Sequence, residues 1–172
     1  MKKKQFINDD KIINIKVENK NQIISNFSYD ENDRLNKDLS EYIVEKSKNT
    51  HITQDLQLNI YSKDNIDKNE IQSTIKNHFH EEYLVSKSEL KRMNLFIIIM
   101  FGLGVLTFAI LVALYNRSFS NFYFEMILEI AAWVFIWEAV DGLFLQRPKI
   151  RRKNVQMQKL SSAKIEVIKV IN

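Results

Sequence analysis

The sequence predicts an α+β membrane protein: a two-helix transmembrane hairpin with a small cytoplasmic α+β domain whose sheet takes strands from both termini. Three observations carry this expectation. Leu95 to Leu114 is twenty residues without a charge, and a bilayer core about 30 Å thick needs roughly 20 helical residues to cross it. A second apolar stretch, Phe122 to Leu145, follows after only Tyr115 to Asn121. Short segments of alternating polarity lie on both sides of this pair. The expected organisation is therefore a polar region over 1–92, a hairpin over 93–146 with spans at about 95–115 and 122–145, and a basic helix with a terminal strand over 147–172.

The polar elements follow in order. Lys11 to Val17 alternates, with Ile13, Ile15 and Val17 on one face, and reads as a strand. Asn36 to Lys48 reads as a helix with Asn36 as N-cap and an apolar stripe of Leu35, Leu39, Tyr42 and Ile43. Asp55 to Tyr61 alternates strictly through Leu56, Leu58 and Ile60. Asp67 with Glu70 resembles a capping pair. It opens a helix whose inner face holds Ile71, Ile75, Phe79 and Tyr83. No glycine or proline interrupts Asp67 to Phe101, so this helix is expected to run directly into the first span. Pro148 is expected to end the second span, because its ring cannot continue a helix. A polar helix from about Lys149 to Leu160 and a strand from Ala163 to Ile171 complete the chain.

Charge sets the orientation. Residues 1–92 hold sixteen basic and sixteen acidic side chains, so the net +4 lies in the remainder. Five basic residues fall between Arg147 and Lys153: Arg147, Lys149, Arg151, Arg152 and Lys153. Lys87, Lys91 and Arg92 precede the first span, and the short loop carries only Arg117. The positive-inside rule then places both termini in the cytoplasm, with the basic run facing anionic lipid headgroups. Tyr115, Phe119, Phe122 and Tyr123 form an expected aromatic belt at the outer interface. Met1 to Asp10 has no apolar stretch of the signal-peptide kind. Heavy use of Asn, Ile and Lys suggests an AT-rich bacterial genome, so the expected location is a bacterial cytoplasmic membrane, spanned more than once.

Four acids in the second span are the candidate intramembrane polar site: Glu125, Glu129, Glu138 and Asp141. Each costs roughly 2.5–3.5 kcal/mol at bilayer depth unless it is paired, protonated or shallow. Lys91, Arg92 and Arg147 are the expected ion-pair partners of the inner pair, with Trp133 and Trp137 packing to one side. At 100° per residue the two acidic pairs face nearly opposite ways, so one helix cannot gather all four carboxylates. Gly102, Ala109 and Ala113 form one stripe of small residues, and Ala132 and Ala139 another, both suited to close helix packing.

Other chemistry finds little support. The chain has no cysteine, which excludes disulfides and thiolate ligands. His78 and Glu82 share a helix face but His80 does not, which is too few ligands for a structural zinc site. His51 is isolated. No phosphate-binding glycine loop or nucleophile elbow is present. The basic run lacks the interleaved aromatics of a nucleic-acid surface.

Leu35-Asn36-Lys37-Asp38-Leu39-Ser40-Glu41-Tyr42-Ile43-Val44 resembles a motif in a family of bacterial two-span membrane proteins. The stretch Trp133-Val134-Phe135-Ile136-Trp137-Glu138, continuing through the basic run to Leu160 and a short terminal strand, is similar to that family's second signature. This chain has Lys37 and Val140 where the family pattern often carries prolines. The resemblance implies the two-span architecture and transfers no catalytic residue. The functional expectation is a non-enzymatic membrane anchor and interaction protein without cofactor or metal, homo-oligomeric or bound to a protein partner. The alternative is a small oligomeric pore or proton-conducting effector using the acids of the second span.

Overall fold

The structure, a computed structural model, describes residues 12–25, 35–48, 56–63, 67–115 and 121–169. His51, Arg117 and Phe119 lie outside them. The elements are strand β1 (Ile12–Val17), helix α1 (Lys37–Ser47), strand β2 (Gln57–Ser62), helix α2 (Lys68–Tyr115), helix α3 (Phe122–Asp141), helix α4 (Arg147–Ser161) and strand β3 (Lys164–Lys169). The chain divides into two compact units. One takes Met1–Val85 and Asn154–Asn172, and the other Ser86–Lys153.

All three expected strands form, and they make one sheet in the order β1-β2-β3. Both pairings are parallel. Alternation encodes which face a strand buries, not its direction, so this feature was not legible in the sequence. Parallel neighbours need a helical crossover. The polar unit expected as α+β therefore has βαβ connectivity, with α1 between β1 and β2, and α2, α3 and α4 between β2 and β3. Register sets Ile13 beside Leu58 and Ile165, and Ile15 beside Ile60 and Val167.

That row faces the core. Ile13, Ile15, Val17, Leu58, Ile60 and Ile165 pack with Leu39 and Ile43 of α1, Ile71, Ile75 and Phe79 of α2, and Met157 and Leu160 of α4. Tyr83 joins the edge of this cluster. Tyr42, placed on the inner stripe by its spacing, is instead exposed and lies beneath Lys46 Nζ, 5.6 Å from the ring centroid. The opposite face of the sheet is polar. Asn59 Nδ2 donates to Asn14 Oδ1 at 3.1 Å, and Gln57 Nε2 donates to Asn59 Oδ1 at 2.9 Å. Beside them Lys164 Nζ lies 2.7 Å from Glu166 Oε1. Its hydrogen bond and charge hold the Glu166 carboxyl below the usual carboxylate range.

Polar contacts hold the helices in place around the core. Asn36 caps α1 by accepting from the Asp38 N–H. Asp67 caps α2 by accepting from the Asn69 N–H, while Glu70 pairs with Lys20. Ser40 Oγ lies 2.8 Å from His78 Nε2 and joins α1 to α2. Gln156 of α4 donates at 2.7 Å to the Val44 carbonyl in the last turn of α1, which also accepts from Ser47 Oγ at 2.8 Å.

Pro148 does not end the helical path. Residues Gly142–Gln146 form a π turn, and the Arg147 N–H donates to the carbonyl of Gly142, five residues back. The wider turn lets Arg147 stay helical. Pro148 follows directly on this widened turn, so the helical path passes the proline through a local π adjustment.

Because Leu58 is fully buried in the central strand, Leu58→Asp is expected to destabilise the α/β unit by about 4 kcal/mol or more. Gln57 is half-exposed on the polar face, and Gln57→Asp is expected to cost about 1 kcal/mol. Limited proteolysis of the two variants compares them, and equal resistance would contradict the buried register.

Candidate functional site

The unit Ser86–Lys153 is built on an antiparallel pair formed by α3 and the second half of α2. The buried and half-buried positions of α2 recur three and four apart, at Ile97, Met100, Gly104, Thr107, Leu111 and Leu114. On α3 the same rhythm runs through Glu125, Leu128, Ala132, Phe135 and Ala139 to Gly142. This is the heptad pattern of helices that pack along their length.

Small residues set the spacing. A Cβ on Gly104 would lie 2.6 Å from Ile136 Cγ1 and 3.3 Å from the Ile136 backbone nitrogen. One on Gly142 would lie 2.9 Å from both Ile97 Cγ1 and Met93 Cε. Ala132 and Ala139 are buried in the seam, as their spacing suggested. The stripe on the first helix is different. Gly102, Ala109 and Ala113 are exposed, and nothing lies within 4 Å of a Cβ on Gly102. The contact glycine is Gly104, and the signal for it was the three-and-four rhythm of its own neighbours.

The rest of this surface is apolar and bare. Leu95, Ile98, Phe101, Leu106 and Phe108 of α2 are more than half exposed, as are Tyr115, Phe122, Tyr123, Trp133 and Trp137. The two tryptophans thus face outward rather than packing within the pair. By length and composition, one described helix, Lys68–Tyr115, suffices to cross a membrane. The expected second span does not meet the same test, because Glu125, Glu129, Glu138 and Asp141 interrupt α3.

The structure separates those acids. Glu125 turns into the seam, with Oε1 buried and without a hydrogen-bond partner. Glu129 and Glu138 are exposed. Asp141 is half-buried and accepts from Gln146 Nε2 at 2.7 Å. Among the described residues, no ion pair joins these acids to Lys91, Arg92 or Arg147, all three exposed. Lys149, Arg151, Arg152 and Lys153 are exposed as well. The carboxylates form no common cluster, and no group of side chains suited to a metal ion occurs among the described residues. The arrangement offers an apolar shell, acids toward either end of α3 and a basic collar after it. Comparison with protein-family models, curated proteins and solved structures found no match.

If the seam depends on close approach at Gly104, Gly104→Leu is expected to loosen the pair by about 1–3 kcal/mol through overpacking. Gly102→Leu, at an open position, is expected to be tolerated. Protease resistance of the full chain over 86–153 reads the difference, and equal sensitivity of the two variants would contradict this packing.

Proposed function

We propose that the chain is an integral membrane anchor and interaction protein of a bacterial cytoplasmic membrane, crossing it twice through α2 and α3. It holds its α/β unit on the cytoplasmic side and carries no catalytic activity. The observation that supports this reading best is the parallel pairing of β2 with β3. Those strands flank α2 in sequence. If α2 crosses the bilayer, the chain must cross back before β3 can lie beside β2. This reading assigns the return to helix α3, which has 20 residues.

Energetics favour insertion as a pair. A Leu, Ile, Phe or Val at the bilayer centre contributes roughly −0.3 to −0.6 kcal/mol on insertion scales. An acid there costs roughly 2.5–3.5 kcal/mol, so its acids offset much of the apolar gain of α3. Two features reduce that cost. Ile130 to Trp137 carries no charge, so no acid falls at the very middle of α3. The seam with α2 supplies packing that lipid alone would not. The basic run Arg147–Lys153 then lies at the cytoplasmic surface, against anionic headgroups.

A second reading rests on Glu129 and Glu138. Both are acids on an otherwise apolar exterior, and side chains of this kind can line a polar path when several pairs assemble. A pore or proton conductor predicts flux across liposomes that Glu138→Gln reduces. The anchor reading predicts none.

Orientation tests the first reading directly. In a chain without native cysteine, Ser118→Cys is expected to react with an impermeant thiol reagent from outside the cell. Lys164→Cys should react only after permeabilisation. Labelling of Ser118→Cys from the cytoplasmic face alone, or release of the chain by alkaline carbonate, would overturn the two-span anchor.

A further inference from the structure

The apolar shell ends in a band of cations. On α2, Lys91 lies four residues before Leu95, where the apolar run begins, and Lys87 lies one turn earlier. Beyond α3, Arg147 follows the last apolar residue, Leu145, by two positions, and Arg151 lies one turn further on. All four side chains are exposed and belong to the unit Ser86–Lys153. Among the described residues, Lys91, Arg147 and Arg151 form no ion pair.

Helix geometry gathers these four on one flank. Along the seam Gly104 lies against Ile136, and Gly142 against Ile97 and Met93. Continued by one turn and then another, this antiparallel step sets Arg147 about level with Lys91, and Arg151 about level with Lys87. The inner line of α2 runs through Leu90, Met93 and Ile97. At about 100° per residue, Lys87 and Lys91 lie roughly 90–130° round from it. The inner line of α4 runs through Ile150, Asn154 and Met157, and Asn154 Nδ2 donates to the Tyr83 carbonyl of α2 at 3.4 Å. Arg147 and Arg151 lie roughly 50–90° round from that line, in the same rotational sense. In antiparallel helices the same sense leads to the same side of the pair. The opposite flank carries Lys149 and Lys153 with Glu89, the one acid in 87–95 and 147–158. That acid offsets charge there and leaves the Lys91–Arg147 flank purely cationic.

We propose that this flank binds the headgroup of a two-phosphate phospholipid, with one phosphate at the Lys91–Arg147 level and the other at the Lys87–Arg151 level. The levels are four residues apart, about 6 Å along the helices. Two phosphates joined by a three-carbon bridge can span that distance, whereas a one-phosphate lipid occupies a single level. Each level pairs a guanidinium, which grips phosphate oxygens through two parallel N–H bonds, with an ammonium that acts as a point charge. Basic pockets where membrane helices meet the cytoplasmic surface recognise headgroups of this kind. Apolar surface for the acyl chains adjoins the site. Ile98, two turns on from Lys91 along the same line of α2, is 68% exposed. The inference rests on the two-span reading, which puts both levels at the cytoplasmic interface.

Competition binding to the full chain in nonionic detergent micelles tests it. Fluorescent diphosphatidylglycerol is bound first, then displaced by unlabelled diphosphatidylglycerol, by phosphatidylglycerol, or by inorganic pyrophosphate. At equal phosphate, the two-phosphate lipid is expected to compete about tenfold better than phosphatidylglycerol. Arg147→Gln with Arg151→Gln is expected to abolish that preference. Lys149→Gln with Lys153→Gln removes the same charge from the opposite flank and is expected to retain it. Absence of a preference in the natural chain would overturn the inference. So would a preference that survives Arg147→Gln with Arg151→Gln, one lost equally in both double variants, or displacement by pyrophosphate as effective as by the lipid. Alkaline carbonate separates the two readings. A natural chain that stays in the membrane yet shows no preference rejects the lipid site alone, whereas release of that chain rejects the two-span reading and the site with it.

Discussion

The parallel pairing of β2 with β3 constrains the whole chain. These strands lie on either side of the two long apolar helices in sequence, yet they are adjacent in the sheet with Leu58 beside Ile165. The chain leaves the α/β unit after Val85 and re-enters it at Asn154. Everything between must therefore return to where it began. One helix alone cannot satisfy that, and neither can two helices that diverge. The apolar segment has to be a closed excursion, and the α2–α3 seam is its closure.

The seam explains how a helix with four acids can belong to an apolar shell. Gly104 and Gly142 let the backbones approach at two separate levels, where any larger side chain would meet Ile136, Ile97 or Met93. Glu125 sits within this contact with an unpartnered carboxylate oxygen, and leaving such a group unsatisfied costs on the order of 1–3 kcal/mol. Asp141 is satisfied by Gln146 beside the π turn. That turn serves a further purpose, carrying the helical path past Pro148 into α4 so that Met157 and Leu160 reach the core beneath the sheet.

Much of the α/β unit was legible in the sequence because its signals are local. Alternation at Ile13/Ile15/Val17 and Leu56/Leu58/Ile60 marked the buried strand face, and Asn36 and Asp67 marked helix starts through their side-chain oxygens. Strand direction was not legible, since it depends on the crossovers rather than on any residue. Tyr42 misled because a helical stripe is wider than the face one neighbour covers, and its outer flank lies at the open edge of β1. Gly102 misled for a related reason. Small residues mark possible contact, and only the heptad rhythm of the larger residues around them shows which contact forms. The acids were legible as unusual, but their partners were not: Asp141 takes an amide five residues away instead of Lys91 or Arg92. Pro148 misled because an expected helix end assumes α geometry up to that point.

One measurement bears most directly on the closed excursion. Gln57 and Lys164 are register partners on adjacent strands, a separation of about 4.8 Å that suits a disulfide or a very short thiol linker. The account predicts that the Gln57→Cys, Lys164→Cys chain joins its own two thiols while resisting alkaline extraction from membranes. A chain that stays in the membrane with both thiols reactive but never joined would place β2 and β3 apart and contradict the account.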